Sequence, residues 1–90
     1  MDDITRYSTY LEREKRASRN TVTSYLRDIN QFADYLKRSQ RCSLRQAKVE
    51  MVQGYMNWML NDGKSAASVT RFLASVKSFY NFLLAEGSVD

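Results

Sequence analysis

A chain of 90 residues fits one compact domain, which can bury roughly 60–65% of the surface that the unfolded chain exposes. The apolar content of 43% excludes intrinsic disorder, and the net charge of +4 is compatible with a polyanionic partner without requiring one. Because the sequence has no histidine, His-based acid–base catalysis, Ser-His-Asp and Cys-His nucleophile pairs and most zinc sites are excluded. We expect no enzyme activity, cofactor or metal in this chain.

Four apolar-periodic segments separated by short polar breaks predict an all-α bundle of four helices, since the chain has no proline and only three glycines. The first helix is predicted over residues 3–16, where Asp2 and Asp3 favour its N-terminus and Ala17-Ser18 ends it. Its short apolar stripe contains Ile4, Tyr7 and Tyr10 or Leu11.

The second helix is predicted to begin after Ser18 as its N-cap and to run to Arg38. Its apolar positions repeat at intervals of three and four and therefore share one face. These positions are Val22, Leu26, Ile29, Phe32, Ala33 and Leu36. A polar, irregular segment over residues 39–47 connects this helix to the third.

The third helix is predicted over residues 48–61 and ends at Asp62-Gly63. Its inner face consists of Val52, Tyr55, Met56 and Met59. The methionines and Trp58 could form a ligand groove, but their helical spacing favours core packing. The fourth helix follows the N-cap Ser65 and runs to Ala85, where Glu86-Gly87 ends it. Its predicted core face consists of Val69, Phe72, Leu73, Val76, Phe79, Tyr80 and Leu83.

Two polar helix faces lie opposite these apolar stripes. On the second helix the face contains Asn20, Ser24, Arg27, Gln31 and Arg38. On the fourth it contains Ala67, Ser68, Thr70, Arg71, Ala74, Ser75, Lys77, Ser78 and Asn81. Small residues allow close approach and the cations reach outward, a combination that suits the major groove of DNA. Ordinary solvated faces have the same composition, so the charge pattern alone leaves both interpretations open.

Cys42 is the only cysteine, so no internal disulfide can form and a reducing, cytoplasmic compartment is expected. Neighbouring cations could lower the pKa of its thiol, although an incidental thiol in a loop is the simpler interpretation. No segment has the roughly 18 consecutive apolar residues of a membrane-spanning helix, and the acidic start Met1-Asp2-Asp3 is unlike a signal peptide. We expect no membrane partner.

A family resemblance covers almost the whole chain. The matching positions in the first half are Ser18, Asn20, Thr21, Tyr25, Asp28 and Phe32. Those in the second half are Val52, Tyr55, Gly63, Ser65, Ser68, Val69, Arg71, Leu73, Ser75, Val76, Lys77, Ser78, Phe79, Tyr80, Phe82, Leu83 and Gly87. In this order and spacing they resemble the N-terminal core-binding, SAM-like domain of tyrosine recombinases (phage integrases), especially Xer-like members. Two features depart from the family: Ala17 replaces a usual leucine, and residues 48–51 lack the usual Thr-Pro-Glu-Asp-like helix start.

The resemblance implies that residues 1–90 form an orthogonal bundle of four or five helices. This bundle is one half of a C-shaped clamp around duplex DNA, with the second and fourth helices crossing the major groove. The DNA-binding residues carried over by position are Arg19, Asn20, Thr21, Thr23, Ser24, Arg27, Lys64, Ser65, Ser68, Arg71, Ser75 and Lys77. Arg27 and Arg71 are expected near base edges or inner phosphates, and Arg19, Lys64 and Lys77 at phosphates. Strand cleavage and rejoining is expected from a C-terminal catalytic domain that this chain lacks. Other recombinase protomers on DNA are expected partners, and no small-molecule substrate is expected.

Two other functions are compatible with the same residues. A helical protein–protein adaptor could use the basic faces for an acidic partner. A compact helix-turn-helix regulator could use Gly63-Lys64-Ser65 as its turn, although the preceding helix is aromatic and long for that motif. For the DNA-binding function, replacing Arg71 by alanine is expected to weaken DNA binding and leave helicity intact. Replacing Leu73 by alanine is expected to open a cavity in the core.

Overall fold

The computed structural model describes residues 2–87, which form four α-helices and two short turns of other helical types. The α-helices are α1 (Asp3–Arg13), α2 (Arg19–Tyr35), α3 (Val49–Asn61) and α4 (Ala66–Ala85). A π-helical turn, Leu36–Gln40, and a 3-10 turn, Leu44–Gln46, lie between α2 and α3. No strand occurs within residues 2–87, and the predicted all-α fold is confirmed.

Three helices begin at side-chain caps that the sequence predicts. The Asp2 carboxylate accepts from the Thr5 N–H at 2.7 Å, and the hydroxyls of Ser18 and Ser65 accept from the amides three residues ahead at 3.1 Å. Each cap satisfies one of the amides that a helix start leaves without an intrahelical partner. The N-cap of α3, Lys48, makes no side-chain hydrogen bond, in agreement with the missing cap at residues 48–51.

The ends of α1 and α2 differ from the prediction. Helix α1 ends at Arg13, three residues early, because Arg16 adopts a left-handed backbone with φ of 50° and the Ala17 N–H donates back to the Leu11 carbonyl at 2.9 Å. Helix α2 widens into the π turn, which Arg41 closes with φ of 51°. The predicted stops at Gly63 and Gly87 are confirmed, since both have positive φ, where glycine is favoured.

The core joins all four helices through a cluster of aromatic rings. Phe32 of α2 contacts Tyr55 of α3 and Phe72 of α4, with ring centroids 5.3 and 5.4 Å apart. Tyr7 of α1 meets Phe79 of α4 edge-to-face at 5.2 Å. Such pairs add to the free energy gained from apolar burial, so the aromatic cluster fixes how the helices pack.

The core face of α4 largely follows the prediction, since Val69, Phe72, Val76, Phe79 and Leu83 are buried, but it differs at two positions. Phe82 was not predicted in the core, but it is buried against the rings of Tyr7 and Tyr10. Leu73 is only half-buried, and it lines a surface groove next to Val49. The predicted core position of Leu73 is therefore wrong, and α4 instead buries Phe82 against the tyrosine rings of α1.

The segment between α2 and α3 is more ordered than its polar composition suggests. Leu44 is buried, and its carbonyl accepts a 2.6 Å hydrogen bond from the hydroxyl of Tyr80 on α4. Burial raises the pKa of the Tyr80 phenol, so this hydroxyl remains a donor at neutral pH. One leucine and one tyrosine thus attach the connection to the core. Within residues 2–87, no helix has the length and apolar character needed to cross a membrane.

Candidate nucleic-acid interface

A buried ion pair joins the two helices whose polar faces the sequence singles out. Arg71 of α4 donates from Nε to Asp28 Oδ2 at 2.9 Å and from Nη2 to Asp28 Oδ1 at 2.8 Å. The Asp28 residue on α2 is only 3% exposed, whereas the Arg71 side chain is 40% exposed. The pair therefore has its carboxylate inside the protein and part of its guanidinium at the surface.

Ser75 completes this buried cluster from one turn farther along α4. Its Oγ lies 2.7 Å from the Phe72 carbonyl, to which it donates, and 3.4 Å from Asp28 Oδ2. The Ser75 residue is 0% exposed, so its predicted place on the outer face of α4 is wrong. A side chain with no accessible surface cannot touch a duplex, and Ser75 instead packs beneath the ion pair.

The ion pair holds Arg71 in its charged form. Its hydrogen bonds to Asp28 are the main reason that the pKa of the guanidinium is raised above its ordinary value. A buried carboxylate needs such a partner, because burying an unpaired charge costs several kcal/mol, order of magnitude. The Arg71 guanidinium, which is charged at neutral pH in any case, is therefore held in place beside the carboxylate.

The first turns of α2 present most of the predicted contact residues at the surface. Arg19, Asn20, Thr23 and Arg27 are exposed. Thr21 is half-buried, and its hydroxyl oxygen accepts from the Ser18 hydroxyl at 3.0 Å. Ser24 is also half-buried and lies one helical turn before Asp28. All six predicted residues of α2 therefore retain accessible surface, in the same helix as the carboxylate that holds Arg71.

The start of α4 has the same cap design as the start of α2. Ser65 is exposed and Ser68 half-buried, and the Ser65 hydroxyl donates to the Ser68 hydroxyl at 3.1 Å. Lys64 lines a groove of about 390 Å³ together with Gln31 and Arg38. Lys64, just before α4, therefore lies beside the end of α2 and the π turn that carries Arg38.

Lys77 is separated from the rest of the predicted set. It lines a second groove, between the start of α3 and the middle of α4, beside Val49, Leu73 and Tyr80. Arg71 instead faces α2 through its ion pair. The structure thus brings Arg71 to the α2 side and places Lys77 on the flank of α4 that faces α3.

Asp28 is the main residue that the sequence analysis missed as part of the site. The sequence contains a signal for it: an acid lies between Val22 and Phe32, next to Ile29, on the edge of an apolar stripe. An acid at such a position needs a cation from another helix. Only the packed structure shows that this cation is Arg71.

Another set of ion pairs joins α1 to other parts of the chain. Asp3 of α1 accepts two 2.7 Å hydrogen bonds from Arg45, whose guanidinium lowers the pKa of that carboxyl. Cys42 is half-buried, with Sγ 3.6 Å from Met51 Sδ. Within the described part of the chain, no cluster of three or more His, Cys, Asp or Glu residues could hold a metal ion.

Comparison with known proteins gives consistent matches. The family described as phage integrase, N-terminal SAM-like domain, matches residues 4–87. A candidate tyrosine recombinase, TTE1313 of Caldanaerobacter subterraneus subsp. tengcongensis, is 35% identical over 81 residues, which are 90% of this chain and 28% of that protein. The tyrosine recombinases XerD of Staphylococcus aureus and Staphylococcus epidermidis are 28% and 29% identical over 83 residues, 92% of this chain and 28% of each relative. The chain thus spans about 28% of the length of these curated relatives. No solved structure matches it.

Proposed function

Because the chain belongs to the phage integrase N-terminal SAM-like domain family, as its residue pattern predicts, we propose that it is the DNA-binding domain of a site-specific tyrosine recombinase. In this proposal α2 and α4 grip duplex DNA while catalysis takes place in another part of the protein. The observation that carries it is the Asp28–Arg71 pair, which couples the two helices and leaves the guanidinium partly at the surface.

The proposed contacts divide by chemistry. Arg27 and Arg71 lie near base edges or inner phosphates, because a guanidinium can donate two parallel hydrogen bonds to either. Arg19 and Lys64 bind phosphates at the two helix starts, where exposed amides favour anions. The remaining proposed contacts on these helices are small polar groups: Asn20, Thr21, Thr23, Ser24, Ser65 and Ser68. Lys77, on the flank facing α3, is proposed only as an outer phosphate contact.

Strand cleavage and rejoining requires groups outside this chain in the same proposal. The sequence has no histidine to act as acid or base at a phosphate, so the domain contributes binding and positioning rather than chemistry. Other protomers bound to the same DNA are proposed partners. Action on duplex DNA, together with a single cysteine, fits a cytoplasmic protein.

A salt titration with a fluorescein-labelled duplex tests the proposal. Binding through phosphates releases counterions, so the logarithm of affinity is expected to fall linearly with the logarithm of salt concentration. Three to six contacts give a slope of about −3 to −5, at roughly −0.9 per contact. Binding that is absent at low salt, or that does not change with salt, would overturn the proposed function.

A protein–protein adaptor is the second candidate, and the groove between α3 and α4 favours it. Val49 is 69% exposed at the rim of that groove, and half-buried Leu73 forms part of its wall. Lys48 and Lys77 line the same groove, which would suit an apolar segment carrying acidic residues. An adaptor would at best bind the duplex weakly and without sequence preference.

A further inference from the structure

We propose that Asp28 is a positioning residue that aims Arg71 at DNA and thereby determines sequence preference. The inference rests on the proposed function, because it concerns how the same surface reads a duplex. It concerns a residue that is itself too buried to touch DNA: Asp28 is 3% exposed and acts only through the guanidinium that it holds.

The geometry of the pair determines which edge of Arg71 is presented. A guanidinium carries five N–H groups, one on Nε and two on each terminal nitrogen. Asp28 accepts from Nε and from Nη2, so it occupies one side of the fork. No hydrogen bond of Nη1 occurs within residues 2–87. The edge formed by Nη1 and the second N–H of Nη2 therefore retains two roughly parallel donors. Two parallel donors match guanine O6 and N7, or two phosphate oxygens.

The cluster also fixes the direction of that edge. Asp28 is buried on α2, and the Ser75 hydroxyl packs against Asp28 Oδ2 from α4, so the carboxylate has little room to move. Arg71 is held by two hydrogen bonds to this carboxylate before any ligand arrives. A side chain ordered in advance loses less conformational entropy on binding.

The same pairing lowers the general attraction of Arg71 for DNA. Asp28 offsets the charge of the guanidinium, so the residue contributes less to sequence-independent binding than a free arginine would. Its directed donors remain able to discriminate between base edges. Pairing with Asp28 thus favours discrimination between base sequences over sequence-independent affinity for DNA.

Asp28→Asn, with Asp34→Asn as its matched control, tests the inference. Both variants remove one negative charge from α2, but Asp34 is exposed and makes no ion pair with Arg71. The probes are a duplex that the parent chain selects from a random-sequence pool and a shuffled duplex of the same composition. The measured quantity is the ratio of the two dissociation constants, and thermal unfolding followed by circular dichroism verifies that each variant is folded.

We expect Asp28→Asn to lower the preference for the selected duplex about tenfold, within the range for loss of one bidentate contact, and to steepen the salt slope on the shuffled duplex. Asp34→Asn is expected to keep the preference of the parent. If Asp28→Asn does not fold, Arg71→Lys takes its place, because it keeps the charge but lacks the planar fork, and the same tenfold loss is expected.

Three results distinguish a failure of the positioning role of Asp28 from a failure of the proposed DNA-binding function. A parent chain that binds no duplex overturns the proposed function. A parent chain that binds every duplex equally well overturns the positioning role and leaves DNA binding standing. A folded Asp28→Asn variant, or its Arg71→Lys substitute, with the preference of the parent also overturns the positioning role.

Discussion

Asp28 and Arg71 are 43 positions apart in sequence and belong to different helices, yet they are joined by two hydrogen bonds of 2.8 and 2.9 Å. The pair therefore ties α2 to α4 at the place where both helices are proposed to meet DNA. A change at Arg71 must affect the fold and the interface together. The sequence alone indicated an effect on DNA binding only.

Arg71→Ala is expected to destabilise the domain as well as to weaken DNA binding. Removing the guanidinium leaves the Asp28 carboxylate buried without its main partner. The expected loss is about 2–3 kcal/mol in the free energy of unfolding, below the value for a fully buried pair because Arg71 is partly exposed. Urea denaturation measures it.

The matched control for Arg71→Ala is the double variant Asp28→Leu/Arg71→Met. It removes both charges and keeps similar volume, so its stability is expected to lie close to that of the parent. An Arg71→Ala protein as stable as the parent would mean that the ion pair adds nothing to the fold.

Phe82→Ala is expected to cost more stability than Leu73→Ala. Phe82 is 4% exposed and packs against two tyrosine rings, so its removal costs roughly 3–5 kcal/mol. Leu73 is half-buried at a groove, and water can fill the space that it leaves, so the expected loss is about 1 kcal/mol. Thermal and urea unfolding of the two variants compare them, and an equal loss would return Leu73 to the core.

The limits of α4 could be predicted because they depend on local chemistry. Ser65 can cap only the residues that follow it, and Gly87 ends the helix through its own positive φ. The inner face of α3 followed from the spacing of Tyr55 and Met59, both of which are buried. Features that depend only on residues close together in sequence can be predicted, because they do not depend on how the rest of the chain packs.

The burial of Phe82 and of Asp28 could not be predicted in the same way. The apolar stripe of α4 is wide, and only contact with α1 decides that Phe82 is buried rather than Leu73. Burial of the Asp28 carboxylate is favourable only because Arg71, from another helix, pairs with it. For the interface, the sequence supplied the residue types, whereas packing decided that Ser75 lies beneath the surface.

Acidification is expected to weaken the ion pair between Asp3 of α1 and Arg45 of the 3-10 turn. The hydrogen bonds from Arg45 lower the pKa of Asp3 below its ordinary value of 3.8. As the pH falls, the Asp3 carboxylate is therefore protonated in the unfolded chain before it is protonated in the folded chain. The stability that Asp3 contributes is thus present above pH 3.8 and is lost as the pH falls through the lower pKa of the folded state. Urea unfolding of the parent and of Asp3→Asn is expected to differ at pH 7, and the difference is expected to shrink as the pH falls below 3.8. A constant difference would show that the charge of Asp3 is not responsible.

Alkaline pH is expected to destabilise the contact between α1 and α4. Burial raises the pKa of Tyr7 to about 12, and its hydroxyl donates to Ser78 Oγ at 2.8 Å. The unfolded tyrosine ionises near pH 10, so the stability from Tyr7 is complete below pH 10 and falls as the pH rises toward 12. Tyr7→Phe is expected to lose about 1 kcal/mol at neutral pH with the hydrogen bond, and to show a shallower decline above pH 10. Ser78→Ala is the control, because it removes the hydrogen bond and keeps the ionisable phenol.

Arg27→Ala is expected to make the salt dependence of DNA binding less steep by about 0.9 in slope, the value for one lost phosphate contact. Arg27 is exposed on the face of α2 that also carries Asn20 and Ser24. Lys37→Ala is the matched control, since Lys37 lines a groove beside Asp3 and its loss changes the net charge equally. Because that groove lies away from the proposed face, the slope of the control is expected to match the parent. Equal slopes for both variants would mean that net charge, rather than the α2 face, attracts the duplex.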